Sequence, residues 1–323
     1  MFKTLRFSFD EVILSFKFFY ASKCRRVKLT DAKIRHAMTV DVEDYFHVAA
    51  FADVIDTGRW DKYPCRVERN TDVLLQLFEK KQIKATFFVL GWVAERYPEI
   101  VRKIVAQGHE LASHGYSHQL VYSQTPEVFR EETRRSKQIL EDQGQKPVVG
   151  YRAASYSITA KSLWALDILA ELEFTWDSSI FPIRHDRYGM PNSPERPYRI
   201  KTSSGALLTE FPLTTAKVAG MSVPAAGGGY FRQYPYLLSR FLFKRASLNG
   251  TRPQIFYLHP WEIDADQPRV EGASWFSRFR HYTNLKRCLP RLERMIDDFP
   301  FTTVSESILA AGVHQDIELN DLV

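Results

Sequence analysis

Residues 36–46 read HAMTVDVEDYF, an apolar run that passes directly into acidic residues. The run AMTV has the composition of a strand that is buried on both faces, as in a parallel sheet. Asp41, Glu43 and Asp44 stand at its carboxyl end or just beyond it. Because α/β folds place reactive polar groups at the carboxyl ends of such strands, this stretch predicts both a fold class and a site.

Strand-like and helix-like segments alternate along the rest of the chain. This alternation predicts a parallel sheet with helices on its outside. Six or seven such units in one domain predict an α/β fold, a distorted, incomplete (β/α) barrel of about seven units. The predicted helices cover about 70–80, 99–107, 126–143 and 160–172, and the strand-like stretches are KATFFVLG (84–91), PVVGYRA (147–153), TWDSSI (175–180) and QIFYLHPW (254–261), with HELASHGYSH (109–118) in the same pattern.

Composition indicates an ordinary globular protein and does not favour a nucleic-acid partner. The 44 Lys and Arg residues exceed the 38 Asp and Glu residues by six, and the two signs are mostly interspersed. No nucleic-acid-binding motif accompanies this charge. The three cysteines are far apart and odd in number, which excludes a disulfide framework and a CxxC metal site. This usage fits a reducing compartment, so we predict a cytoplasmic location.

Residues 1–35 form a predicted amphipathic, basic extension. Charged residues interrupt its apolar ones well before the ~18 that a membrane-spanning helix needs, and no signal-peptide pattern is readable. At helical spacing the extension predicts peripheral contact of residues 1–30 with the inner face of the membrane, and a helix packed on the domain is the alternative. Its apolar face consists of Phe2, Leu5, Phe9, Val12, Ile13, Phe16 and Phe19, followed by Lys23, Arg25, Arg26 and Lys28.

Three polar clusters follow predicted strands: the acids after AMTV, the pair His114 and His118, and His259 after IFYL. Each cluster alone is common, because an HxxxH pair occurs by chance and a strand-end Asp is often a cap or a turn former. Two imidazoles and one carboxylate together would hold a divalent ion with open positions, as in a hydrolytic metal site. Gly115 disfavours a regular helix, so the histidine pair is predicted to lie on a turn. Asp41 and His259 could then serve as base and acid.

Six stretches in this order resemble the motifs of the polysaccharide deacetylase family (carbohydrate esterase family four, NodB-like). They are TVDVEDYF, ATFFVLGW, ELASHGYSH, GYRAASYS, WDSSIF and FYLHPWE, across residues 38–263. The sequence is most similar to the branch that accompanies bacterial exopolysaccharide gene clusters, through AAGGGYFR, HPWEID and FRHYTNL. The resemblance implies a barrel over 36–312, a family-specific extension from about 184, and a tail over 313–323. The Pro- and Gly-rich segment 184–252 is interpreted as a lid or substrate wall, or as a surface excursion whose glycines only make turns.

Carried over residue by residue, the resemblance implies a complete catalytic set. Asp41 would be the general base, His259 the general acid, and His114 and His118 metal ligands. Arg152 would steady the base, the Tyr156 backbone N–H would bind an oxyanion, and Asp177 would orient His259. The structural alternatives are a buried ion pair for Arg152, a core aromatic for Tyr156 and a turn for Asp177.

The third metal ligand is left open by a departure from the family pattern. The usual first motif has two adjacent aspartates, whereas Val42 follows Asp41 here and the acids resume at Glu43 and Asp44. Either acid could complete the site. The shorter side chain of Asp44 inclines the prediction to Asp44.

The predicted activity is hydrolysis of N-acetyl groups on amino sugars of a bacterial polysaccharide or its lipid-linked precursor. One divalent metal is expected, Zn²⁺ first, with Co²⁺ or Ni²⁺ as alternatives. The alternatives are another C–N hydrolase of the cyclic-amide or allantoin type, or a non-catalytic carbohydrate-binding protein of the export machinery. Trp92, Tyr230 and Trp261 are predicted substrate contacts. They belong to a wider set that could stack on sugar rings or lie in the core: Lys84, Trp176, Phe231, Trp275, His281 and Tyr282.

Overall fold

The computed structural model describes residues 34–185, 188–313 and 315–322. The predicted extension over 1–35 lies outside them except for its last two positions. The tail predicted over 313–323 is described at 313 and 315–322. Within the described part of the chain, no helix is both long and apolar enough to cross a bilayer.

A mostly parallel sheet organises the described residues. Its strand order is β10-β1-β2-β3-β4-β5-β7-β6-β12, with β11 paired to β1, and the pairing of β6 with β7 is antiparallel. A separate hairpin joins β8 and β9. The strands are β1 (His36–Val42), β2 (Thr86–Val89), β3 (Glu110–Ser113), β4 (Gly150–Tyr151), β5 (Trp176–Asp177), β6 (Tyr198–Lys201), β7 (Leu207–Glu210), β8 (Thr215–Val218), β9 (Met221–Pro224), β10 (Ile255–Leu258), β11 (Phe301–Thr302) and β12 (Asp316–Glu318).

Ten α-helices accompany the sheet in the described ranges. Several begin with clear signals: Pro126 follows Thr125, whose side chain accepts the N–H of Val128, as expected of a helix start. The helices are α1 (Val67–Lys80), α2 (Gly91–Arg96), α3 (Pro98–Ala106), α4 (Pro126–Gly144), α5 (Trp164–Glu171), α6 (Gly228–Gln233), α7 (Tyr236–Ala246), α8 (Trp275–Tyr282), α9 (Leu285–Asp298) and α10 (Val304–Ala311).

The predicted α/β class is confirmed, and the sheet fits an incomplete barrel. All seven residues of β1 are buried, as expected of a central parallel strand with neighbours on both sides. Among the described strands, no pairing joins β10 to β12, so the sheet does not close.

The segment 184–252 is more regular than its composition suggested. It contains β6 to β9 as two antiparallel pairs, then α6 and α7. The turn at Ser203–Gly205 connects β6 to β7, and their alternating side chains bury Tyr198, Ile200 and Leu208. Alternation over only four residues is a weak signal, which explains why these strands were not predicted.

Candidate active site

The predicted reactive residues meet at one edge of the sheet. Asp41 lies near the end of β1, His114 directly follows β3, Arg152 follows β4, and His259 follows β10. These strands lie side by side and run parallel, so their carboxyl ends open on the same edge. The sheet therefore assembles residues that are up to 218 positions apart, as in the contact between Trp261 and Glu43.

A carboxylate and two imidazoles form a candidate metal centre there. Glu43, His114 and His118 each offer one ligand atom, and these atoms lie within 4.8 Å of one another. Glu43 Oε2 lies 2.7 Å from His118 Nε2. His118 has a φ of 53°, so the pair sits on a turn, as predicted from Gly115. One carboxylate and two imidazoles suit Zn²⁺ and related divalent ions.

The orientation of His114 fits metal binding. Its Nδ1 lies 2.9 Å from the carbonyl oxygen of Arg152. A carbonyl can only accept, so Nδ1 carries the proton and Nε2 keeps its lone pair for a ligand bond. Burial lowers the pKa of His114 to about 4, which keeps the ring neutral.

Glu43 is buried beside His118, His259 and Trp261. Burial by itself would raise its pKa, but the positive fields of His118 and His259 outweigh burial and lower it. Its Oε1 accepts a hydrogen bond from Trp261 Nε1 at 3.2 Å. Glu43 is therefore a buried, ionised carboxylate aimed at the histidines.

Asp44, the acid favoured from the sequence as third ligand, has a different role in the structure. One of its oxygens accepts the N–H of Tyr45 at 2.8 Å, and the other accepts the N–H groups of Arg66 and, at 2.8 Å, Val67. Those last two N–H groups lie at the start of α1, where they have no partner within the helix. The geometry therefore favours Glu43 over Asp44 as the third metal ligand. β1 ends at Val42, and the N–H of Glu43 donates to the carbonyl of Asp41 at 3.0 Å, so a turn and not the strand pleat places the two acids.

Asp41 is held by a buried guanidinium. Arg152 Nη1 donates to Asp41 Oδ1 at 2.7 Å and to Thr39 Oγ1 at 2.8 Å, and both charged side chains are almost inaccessible. The rest of the guanidinium donates to the carbonyl and hydroxyl of Ser178. The predicted pairing of Arg152 with Asp41 is therefore present, and it leaves Asp41 Oδ2 facing the site, 3.9 Å from His259 Nε2.

His259 is oriented by Glu262, a residue that the sequence interpretation missed. Glu262 Oε2 lies 3.2 Å from His259 Nδ1 and accepts the backbone N–H of His259 at 3.1 Å. Its other oxygen accepts from Arg232 Nε at 2.7 Å. Burial opposes ionisation of Glu262, but Arg232 and His259 outweigh burial and lower its pKa to about 2.

This arrangement favours a protonated His259. Burial works against the charge, but Glu43 and Glu262 outweigh it and raise the pKa of His259 to about 9. The Nε2 atom faces the site, 3.5 Å from Glu43 Oε1. The sequence held a signal for Glu262, because a His-Pro-x-Glu turn places the carboxylate three residues from the ring.

Asp177, predicted to orient His259, instead belongs to a buried polar cluster behind Arg152. Its Oδ1 accepts from Ser179 Oγ at 2.6 Å. Burial raises the pKa of Asp177 to about 6 and raises that of neighbouring Glu210 as well. The orienting role is therefore reassigned from Asp177 to Glu262.

The Tyr156 backbone N–H has an acceptor of its own. It donates to the carbonyl of Ala153 at 3.1 Å within the turn Ala154–Tyr156. The predicted oxyanion contact would require this bond to break. The Tyr156 ring is buried edge-on against Tyr257 and Phe181, which agrees with the core alternative.

The predicted substrate aromatics separate into different environments. Trp92 is buried edge-on to His47 and Trp60, so it is a core residue. Trp261 is also buried, but it stacks on His259 with ring centroids 5.2 Å apart and bonds to Glu43, so it supports the reactive groups. Tyr230, at half burial on α6, remains available for contact.

The space beside the histidines is small. It has a volume of about 10 Å³ and is lined by His114, His118 and Tyr151 among others. A larger cavity, of about 540 Å³, is lined by residues such as Glu195 and Arg245 and shares no lining residue with the site. We place the chemistry at the sheet edge, because the larger cavity lacks the carboxylate and histidine set.

Two family models match the chain, and relatives of known name are similar to part of it. Residues 56–175 match the family model described as polysaccharide deacetylase, and residues 178–309 match the model described as a domain of unknown function, DUF3473. The peptidoglycan-N-acetylglucosamine deacetylase of Bacillus cereus is 34% identical over 70 residues, 22% of this chain and 26% of that protein. The chitooligosaccharide deacetylase of Bradyrhizobium sp. is 28% identical over 100 residues, 31% of this chain and 43% of that protein. The chain thus spans less than half the length of either relative.

A solved structure shows the shared fold. It is the structure of a Mycobacterium smegmatis protein that was assigned provisionally as a polysaccharide deacetylase. The two chains align with a TM-score of 0.55 at 23% identity. The alignment covers 91% of this chain and 96% of that chain. The chain is therefore similar to the polysaccharide deacetylase family over residues 56–175 and to the DUF3473 model over residues 178–309.

Proposed function

We propose that this protein removes acetyl groups from N-acetylated amino sugars of a glycan by metal-dependent hydrolysis. One observation carries the proposal: the ligand atoms of Glu43, His114 and His118 converge within 4.8 Å, and Asp41 and His259 lie beside them. A general base and a general acid next to such a ligand set are the parts that amide hydrolysis needs. The names of the relatives, deacetylases of peptidoglycan and chitooligosaccharides, point to the same substrate class.

Glu43, His114 and His118 would hold one divalent ion, with Zn²⁺ as the first choice and Co²⁺ or Ni²⁺ as alternatives. When bound, the ion would supply Lewis-acid polarisation of the acetyl carbonyl and of water. The neutral His114 ring and the ionised Glu43 are both in the protonation states that ligands require.

The remaining residues would accept and donate protons during the reaction. Asp41, fixed by Arg152, would accept the proton of the attacking water through the oxygen that faces the site. His259, kept protonated by Glu43 and Glu262, would donate from Nε2 to the departing sugar nitrogen. Glu262 would hold the ring in this orientation through Nδ1, as carboxylates that contact the far nitrogen of a reactive histidine do in other sites.

The names of the relatives favour a glycan over a small cyclic amide as the substrate. A chain bound across the sheet edge needs no enclosure. We propose a bacterial polysaccharide or its lipid-linked precursor as substrate, with the barrel over 36–312 as the catalytic domain.

The proposal is tested by product analysis on N-acetylglucosamine oligomers. The protein should release acetate and leave an equal amount of free amine, and Asp41→Asn should lower the rate by ~10²–10⁴. Lys161→Gln, on an exposed and distant position, serves as the matched surface control and should keep the rate. Hydrolysis of allantoin with no acetate from the oligomers would show the other C–N hydrolase, and turnover of neither would favour the carbohydrate-binding alternative.

A further inference from the structure

The short helix α8 has an unusual orientation. Its aromatic residues Trp275, Phe276 and Phe279 are 75%, 59% and 50% exposed, whereas His281 in its last turn is buried. The helix is well formed, since Ser274 caps it by accepting the N–H of Ser277 at 3.1 Å. A structured helix therefore presents three large apolar side chains to solvent.

The apolar face of α8 is opposite to the face that packs on the protein. At about 100° per residue, Trp275, Phe279 and Phe276 fall within an arc of about 100°, and His281 lies on the other side of the helix. Helices of globular proteins usually turn their apolar stripe toward the core. A cluster of exposed aromatic residues of this kind marks an interaction site.

The sequence that carries this aromatic face is cationic. No Asp or Glu occurs between Glu271 and Glu293, whereas Arg278, Arg280, Lys286 and Arg287 lie in that interval. All four of these cations are exposed. On the helical projection, Arg278 and Arg280 flank the aromatic arc on its two sides. The Arg280 guanidinium carbon lies 5.5 Å from the centroid of the Phe276 ring.

We propose that α8 docks the protein on an anionic phospholipid surface. Its aromatic side chains enter the boundary between headgroups and acyl chains, and the flanking arginines contact lipid phosphates. Aromatic residues with cations at their rim are the composition of interfacial helices.

Charge disfavours three other partners for the aromatic face of α8: the segment 1–33, a second copy of the chain and a glycan. The segment 1–33 carries eight Lys or Arg against three Asp or Glu, so it would be repelled by this cationic face. A second copy, related by a two-fold axis, would bring the same cations together. A glycan without acidic groups would leave the cations unused, and its deacetylated product would be cationic itself.

Docking through α8 has a consequence for the candidate active site. His281 stacks on Trp261 with ring centroids 4.2 Å apart, and Trp261 stacks on His259. Trp275 lies six residues earlier on the same helix, about 9 Å along its axis. The reactive edge would thus be held near the lipid surface. That consequence rests on the proposed function, whereas the docking itself does not.

Co-sedimentation of the full-length protein with vesicles tests the proposal. Vesicles of phosphatidylglycerol and phosphatidylcholine should bind the protein, and pure phosphatidylcholine should bind it far less. The variant Trp275→Ser/Phe276→Ser/Phe279→Ser should lose about 100-fold in partitioning, since burial of aromatic side chains supplies the apolar part of binding. The matched control Leu237→Ser/Leu248→Ser/Leu309→Ser removes equally exposed apolar side chains on other elements and should bind like wild type.

Fluorescence shows whether α8 itself enters the lipid. Brominated lipids should quench the wild-type tryptophan emission, and Trp275→Phe should bind normally with most of that quenching lost. The other tryptophans are buried or half-buried, so they contribute little. Equal vesicle binding by the triple α8 variant would overturn the proposal and assign binding to another part of the chain. Equal affinity for neutral vesicles, or a shift from dimer to monomer caused by the triple variant, would also overturn it.

Discussion

At the scale of single residues, the identity of the carboxylate ligand decides whether the site is complete. Glu43 points at the histidines, whereas Asp44 binds backbone N–H groups. Glu43→Gln should therefore lower the affinity for Zn²⁺ strongly, while Asp44→Asn should leave one ion bound per folded chain. Metal content after dialysis compares the two variants directly. Retention of a full ion by Glu43→Gln, with loss in Asp44→Asn, would restore the original preference for Asp44.

Replacing the general acid and replacing the general base should have different effects on the rates of amide and ester hydrolysis. His259→Ala should suffer most on an amide, whose nitrogen must be protonated to leave, and least on an activated acetate ester. Asp41→Asn should lower both rates by ~10²–10⁴, because both reactions need an activated water. The measured quantity is the ratio of ester turnover to amide turnover, which should rise only in the His259 variant. An unchanged ratio in a folded, metal-loaded His259→Ala protein would contradict the acid role.

The sequence alone leaves the choice between Glu43 and Asp44 open, because the pleat does not fix the direction of the side chains beyond the end of β1. Asp177 is a different case. Its position depends on how β5 packs beside β4 and β7, which no local pattern reveals.

At the scale of elements, the turn Pro260–Ile263 sets the orientation of His259. Glu262→Gln should lower amide turnover by roughly 10–100-fold, as loss of the carboxylate behind a reactive histidine does, and should raise the ester-to-amide ratio as His259→Ala does. Asp177→Asn is the matched control, since it removes a buried carboxylate that accepts from Ser179 Oγ while His259 Nδ1 lies against Glu262, and its ratio should stay near wild type. A raised ester-to-amide ratio in Asp177→Asn, with a wild-type ratio in Glu262→Gln, would show that Asp177 orients His259.

Asp44 links the end of β1 to the start of α1. Because its carboxylate accepts two N–H groups that α1 leaves unpaired, Asp44→Asn should reduce the free energy of unfolding by about 2 kcal/mol. Urea denaturation measures this loss. The exposed Asp53→Asn is a suitable control and should change stability little. Wild-type stability in Asp44→Asn would show that these bonds contribute nothing measurable.

Element boundaries were predicted best where periodic apolar patterns were long. The helices expected at about 70–80, 99–107 and 126–143 appear as α1, α3 and α4 with ends shifted by three residues at most. The short β6 to β9 were missed because four residues carry little periodic signal. Long-range pairing in the sheet then decides which short segments become strands.

At the scale of the whole molecule, the parallel order of β10, β1, β2, β3 and β4 explains the site. It brings four separate strand ends to one edge, so residues from four distant motifs meet there. The order of the motifs predicted that these residues lie close together. The contacts from Arg232 to Glu262 and from Glu262 to His259 could be seen only in the fold of the DUF3473 segment.

Reconstitution with metal tests the central claim, metal-dependent deacetylation, most directly. Protein stripped by a chelator is titrated with Zn²⁺, and bound ion per chain is measured beside acetate release from N-acetylglucosamine oligomers. We expect no turnover without metal, a rate that rises in proportion to bound ion, and saturation at one ion per chain. Full acetate release by the metal-free protein would contradict the account.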